Sequence, residues 1–180
     1  MKYLIISGNP KRGGLCRALE DAIERGARDG GADVTRVTLE KVQKCRSCNG
    51  GWGICREQHK CAFGQDGFDE LQAQAREADA YALVTPVYWG EVTEDMKAFI
   101  DRLRRCEFMQ GALAGKKALI ACSPGGSGNG MISAMEQLDR FCRHMGAEIF
   151  DYIGQNRWNA EYKQQAAYAA ARMMAEAAGA

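Results

Sequence analysis

A chain of 180 residues, 46% hydrophobic and 26% charged, has enough apolar material to bury a full core as a single domain, residues 1–180, without disulfide staples. Its formal net charge of +1 gives no electrostatic reason to expect a nucleic acid or an anionic membrane as partner. No apolar run approaches the roughly 20 residues of a membrane helix. The opening MKYLIISGNP lacks the apolar region and cleavage site of a secretory signal, so a cytoplasmic setting with reduced thiols is expected.

Taken in chain order, KYLIIS (Lys2 to Ser7) reads as a buried parallel strand bounded by Gly8 and Pro10. Leu15, Ala18, Leu19, Ala22, Ile23 and Gly26 then fall at helical spacing, and the helix stops at DGG. ADVTRVTL is a second strand, followed by a cysteine-rich loop over about residues 41–66 and a polar helix from about Phe68 to Glu77. AYALVT (Ala80 to Thr85) is a third strand, expected to stop at Pro86, and Met96, Phe99, Ile100 and Leu103 mark the next helix. KKALIAC is a fourth strand that runs into SPGGSGNG, and Met131 to Met145 form a helix ending at Gly146. AEIFDYIG is a fifth strand, and an alanine-rich helix spans Ala160 to Ala178. Strand–helix alternation repeated five times predicts a parallel sheet covered by helices on both faces. Five strands suit a flavodoxin-like α/β sandwich of order 2-1-3-4-5, with the cysteine-rich loop as an insertion after strand two.

Such sheets bind ligands beyond the carboxyl ends of the strands, where the strand order reverses. After strand one, SGNPKRGGLC opens directly into a helix. Glycines at a helix N-terminus offer backbone N–H groups to an anion, and Lys11 and Arg12 add charge. Its spacing matches neither of the common glycine-rich nucleotide motifs. After strand three, TPVYWGEV places Tyr88 and Trp89 in a turn, where they suit a flat conjugated ring or a subunit contact. After strand four, SPGGSGNG lets backbone approach something flat or anionic. Together the three loops would provide a phosphate cradle, an aromatic shelf and a backbone wall, the requirements of a flavin mononucleotide.

These motifs resemble the NAD(P)H-dependent FMN reductase branch of the flavodoxin-like superfamily, and the iron–sulfur flavoproteins within it. SGNPKRGG looks like that family's phosphate loop, TPVYWGEVTEDMKAFIDRL like its ring-binding segment, and SPGGSGNG like its third flavin loop. The resemblance runs from Lys2 to about Ile153. It implies non-covalent FMN, a two-electron donor such as NAD(P)H or a reduced carrier, a small-molecule acceptor, and a homodimer or homotetramer with flavin sites near the interface. By motif position, Ser7, Asn9, Lys11, Arg12, Gly14, Leu15 and Cys16 would surround the phosphate. Pro86, Val87, Tyr88, Trp89 and Gly90 would line the ring, with Ser123, Pro124, Gly125 and Gly126 opposite. The family often carries Asn followed by Thr or Ser where this chain has Leu15 and Cys16. The phosphate must therefore rest more on backbone N–H groups and the two cations, because a thiol is a weak donor.

The segment CRSCNGGWGICREQHKC holds Cys45, Cys48, Cys55 and Cys61 at spacing C-x2-C-x6-C-x5-C. Its first pair can converge on one metal from a tight turn, and the second pair could complete four thiolates for a [4Fe–4S] cluster or a zinc ion. Metal-free thiols or a redox pair are the alternative, and His59 leaves a Cys3His zinc site open. The resemblance implies a cluster, although the middle gap, NGGWGI, is four residues longer than the family's compact motif. Cys106, Cys122 and Cys142 sit on apolar elements and are expected to pack in the core. Asp101 and Arg102 are expected to make structural ion pairs, Trp52 to cap a site or fill a turn, and Trp158 has no assignment. Aromatic loops and the alanine-rich last helix suggest self-association. Three functions follow: an FMN-dependent oxidoreductase, a non-catalytic electron carrier or redox sensor, and a zinc-stabilised fold without flavin.

Overall fold

The computed structural model describes residues 1–126 and 128–177. Ser127 of the third loop, and Ala178 at the end of the last expected helix, lie outside the described residues. The chain runs β1 (Lys2–Ser7), α1 (Leu15–Asp29), β2 (Asp33–Thr38), α2 (Phe68–Glu77), β3 (Ala80–Tyr88), β4 (Glu91–Val92) and α3 (Glu94–Cys106). It continues through β5 (Lys117–Ser123), α4 (Met131–Met145), β6 (Glu148–Gly154) and α5 (Ala160–Ala177). Five strands pair in parallel in the order β2-β1-β3-β5-β6, which is the expected flavodoxin-like order. The short β4 pairs antiparallel with the end of β3.

The apolar runs of β1, β3 and β5 are buried on both faces, as parallel strands between helix layers must be. Tyr3, Ile5, Leu119 and Ala121 pack under α1 and α5. Leu4, Ile6, Leu83 and Ile120 pack under α2, α3 and α4. The alanine-rich face of α5 is used within the chain: Ala167, Ala170, Ala171 and Ala175 are buried in the α1 layer. That face is therefore not available for self-association. The two helices come so close that a Cβ on Gly26 would lie 2.1 Å from the Tyr168 carbonyl oxygen.

One boundary departs from the sequence expectation. Pro86 does not end β3: it is buried, it sits opposite Ser123 in the sheet, and the strand continues to Tyr88. A proline lacks only the ladder N–H, and a strand tolerates that loss at its end, where pairing is thinning out. The extension carries Val87 and Tyr88 into a hairpin with β4. Between them Trp89 and Gly90 have φ of 53° and 84°, the all-positive pattern of a two-residue type I′ turn.

Candidate functional site

The loops after β1, β3 and β5 emerge at one edge, next to the point where strand order reverses between β1 and β3. Beneath the first loop, Ser7 is fully buried. Its hydroxyl donates to Glu20 (2.7 Å) and accepts the Asn9 backbone N–H (3.1 Å). Ser7 thus shapes the loop from below. The buried Glu20 carboxylate has Arg36 at 3.5 Å and Arg17 at 3.8 Å. Cys16 is buried beside it, with Sγ 3.8 Å from Glu20 Oε1. Burial first, and the Glu20 charge second, push the Cys16 thiol well above its usual pKa.

Above this base the loop is open. Gly14 is the N-cap of α1, it makes no side-chain cap, and a Cβ at Gly13 or Gly14 would meet nothing within 4 Å. Pro10, Lys11 and Arg12 are exposed. Asn9 is buried; its Oδ1 accepts from the Lys11 N–H at 3.1 Å, while its Nδ2 is buried with no partner. A buried amide donor without an acceptor costs about 1–3 kcal/mol. Together with the uncapped helix start, it makes this loop fit an anionic oxygen group such as a phosphate.

The second loop is tied to the first through Thr93, the N-cap of α3. Its hydroxyl donates to the Gly8 carbonyl (2.9 Å) and accepts the Met96 N–H (3.3 Å). Tyr88 is 43% exposed and Trp89 103%, so the hairpin presents its aromatics to the outside. The third loop buries Ser123 and Pro124 and exposes Gly125 and Gly126. It is pressed against the hairpin: Gly130 has φ 76°, and a Cβ there would lie 2.2 Å from Gly90 Cα.

One member of this edge was missed in the sequence. Gln155 follows β6 and is fully buried. Its Nε2 donates to the Leu15 carbonyl (2.6 Å) and to Ser123 Oγ (3.0 Å), and its Oε1 accepts from Gln164 (3.2 Å). A single amide therefore joins the start of α1, the end of β5 and α5. The sequence carries no local signal for it, because Gln155 opens the polar run QNRWN after β6.

The segment between β2 and α2 builds a second site. Its two single-turn 3-10 pieces, Cys48–Gly51 and Gly64–Asp66, are its regular structure among the described residues. Cys45, Cys48, Cys55 and Cys61, all partly exposed, line one narrow crevice. Arg102, Arg105 and Cys106 of α3 form its back wall. Cys106 is thus a fifth sulfur in the crevice as well as a buried core residue, and its thiol is pushed up to about 12, chiefly by burial and then by Cys61 and Cys55. Cys122 and Cys142 are plain core residues. Lys44, Arg46, Arg102 and Arg105 also line the crevice, with no carboxylate among its described lining residues. Cysteine sulfurs gathered among cations form a pocket suited to an anionic metal–sulfur group.

Among the described residues, no three His, Cys, Asp or Glu side chains converge as they would around a single metal ion. His59 does not line the crevice; its Nδ1 lies 3.1 Å from the Cys106 carbonyl. Trp52 packs on Phe108 at 5.0 Å and under Arg105, so it fills the turn. Asp101 pairs with Lys97 at 2.6 Å, whereas Arg102 pairs with Asp66.

The family model described as NADPH-dependent FMN reductase matches residues 1–153. The chain belongs to that family. It is also 38% identical, over 138 residues, to an iron–sulfur flavoprotein of Methanosarcina thermophila, covering 72% of this chain and 66% of the relative. A second iron–sulfur flavoprotein, from Archaeoglobus fulgidus, is 34% identical over 105 residues, covering 57% and 46%. The chain thus spans between about half and two thirds of these relatives' lengths. An NAD(P)H:quinone oxidoreductase structure from Methanothermobacter marburgensis superposes with TM-score 0.70 at 16% identity, covering 100% of this chain and 96% of that one. At that identity the likeness is one of fold.

The orphaned Asn9 amide, the uncapped α1 start and the open glycines suit a phosphate. Tyr88, Trp89, Gly125 and Gly126 are exposed at the same edge.

Proposed function

We propose that this FMN reductase family member is an FMN-dependent oxidoreductase. It takes electrons from NAD(P)H or a reduced carrier and passes them to a small acceptor. Bound FMN would supply the two-electron chemistry, as a cofactor that carries redox reactions protein side chains cannot. Asn9 Nδ2 and the N–H groups opening α1 would hold its phosphate, with Lys11 and Arg12 completing the charge balance. Tyr88 and Trp89 would cover the ring from one side, and the Ser123–Gly126 backbone would approach it from the other. Thr93, Gln155 and the Gly90–Gly130 contact hold these loops together. The observation that carries the reading is the buried, unpartnered Asn9 amide beside the uncapped start of α1.

In the same reading the crevice holds a [4Fe–4S] cluster on Cys45, Cys48, Cys55 and Cys61. What favours it over zinc is the spread of the thiols around a cationic crevice rather than around one point. Anaerobic purification with FMN, iron, zinc and sulfide quantified on one sample tests both cofactors. Protein that neither contains FMN nor binds it on titration would overturn the flavin reading, and a zinc-loaded, iron-free sample would overturn the cluster. Steady-state turnover with NADH and NADPH is the expected activity. Negligible turnover by FMN-loaded protein would make it an electron carrier instead.

A further inference from the structure

Helix α3 turns Arg102, Arg105 and Cys106 toward the crevice, at i, i+3 and i+4 of one helical face. Arg105 is a lining residue that also meets Trp52 and the Gly51 carbonyl. Arg102 is different. It is 2% exposed, and both Nη atoms of its guanidinium donate hydrogen bonds. It donates to the carbonyls of Gln43 (3.1 Å) and Phe63 (2.8 Å), to both Asp66 oxygens (2.9 Å for Oδ1), and to Cys61 Sγ at 3.3 Å. Its plane lies 4.2 Å from the Phe68 ring centre. These partners come from before the first cysteine, from the last cysteine itself, and from the exit of the loop. The planar fork of a guanidinium can serve several such acceptors at once, which an ammonium cannot.

We propose that Arg102 is the positioning residue of the thiol crevice: it closes the loop around the sulfurs and, through Cys61, sets the reduction potential of the cluster. The inference rests on the cluster reading above. A buried cationic N–H donated to a ligand sulfur stabilises the more negative, reduced cluster, because hydrogen bonds and net charge near the sulfurs are what tune such potentials. Asp66 is the counter-charge that lets a guanidinium stay buried here. Were Arg102 only a pin for the loop, Asp66 and the two carbonyls would suffice, and the sulfur contact would have no consequence.

The test compares wild-type protein with Arg102→Lys and Arg102→Gln, all purified anaerobically. FMN, iron and sulfide are quantified, and the cluster potential is read by spectroelectrochemical titration. FMN content is expected to stay at the wild-type level in every protein. Iron is expected to fall in both variants. The potential of the cluster that remains should move negative, by about tenfold in the oxidised-to-reduced ratio for Arg102→Gln, which is about 59 mV for one electron. Arg102→Lys keeps the charge and should shift less. If Arg102→Gln fails to fold, seen as lost FMN and lost cooperative unfolding, Arg102→Lys decides. Wild-type iron and potential in both variants would overturn the proposal, and so would iron loss with an unshifted potential. Iron-free wild-type protein would instead overturn the cluster reading beneath it.

Discussion

At the proposed flavin edge, three loops leave strands that already lie side by side. They are joined by backbone proximity and buried single hydrogen bonds: Gly90 against Gly130, Thr93 to Gly8, Gln155 to Leu15 and Ser123. At the thiol crevice, a long irregular segment has no strand to follow, and the side chains of a neighbouring helix hold it. The first construction inherits its precision from the sheet. The second depends on a few buried side chains, so point changes should damage it separately from the fold.

The largest expected contrast is in thiol reactivity. In reduced, metal-free protein at pH 8, Cys106, Cys122 and Cys142, each pushed up to about 12 mainly by burial, should hold thiolate in only roughly one molecule in ten thousand. Mass spectrometry after iodoacetamide should find Cys45, Cys48, Cys55 and Cys61 modified orders of magnitude sooner. Fast labelling of Cys106 would mean that the crevice opens behind its α3 wall.

At the flavin edge, Gly130→Ala should be the most damaging small change, since it places a methyl on the Gly90 backbone at a positive φ. A loss of roughly 3 kcal/mol in denaturant unfolding is expected, with FMN binding weakened alongside. Asn9→Ala should weaken FMN by roughly ten- to a hundredfold on titration while leaving stability unchanged or higher, because it removes an orphaned buried donor. Gln155→Leu should lower stability by about 1–2 kcal/mol, because the Leu15 carbonyl loses its side-chain donor. Trp89→Ala should change stability by less than about 0.5 kcal/mol, since the side chain is fully exposed. A Trp89→Ala protein that also binds FMN normally would remove Trp89 from the ring shelf.

Three loops converging on one edge were readable in the sequence because each directly follows an apolar run and carries its own glycines. Strand order then brings the three loops together with no further information. Pro86 misled because a local breaker signal was read without the partner strand: opposite Ser123, the ladder tolerates its missing N–H. The crevice was readable only as four cysteines. Cys106 and Arg102 lie more than forty residues beyond the end of the motif, and Cys106 looked like a core residue, which it also is. Gln155 escaped because nothing local distinguishes a buried cross-linking amide from a surface one. Side-chain partnerships between distant segments leave no periodicity to read.

Helix α3 begins at its N-cap Thr93, which is bonded to the loop after β1, and reaches Arg102 two and a half turns later. At 1.5 Å per residue it works as a ruler about 14 Å long between the two sites. One residue inserted between Met96 and Arg102 would swing the guanidinium about 100° away from Cys61. The two sites are therefore registered to each other by helical phase as well as by distance, so α3 can accept substitutions on its exposed face but not a change in residue count.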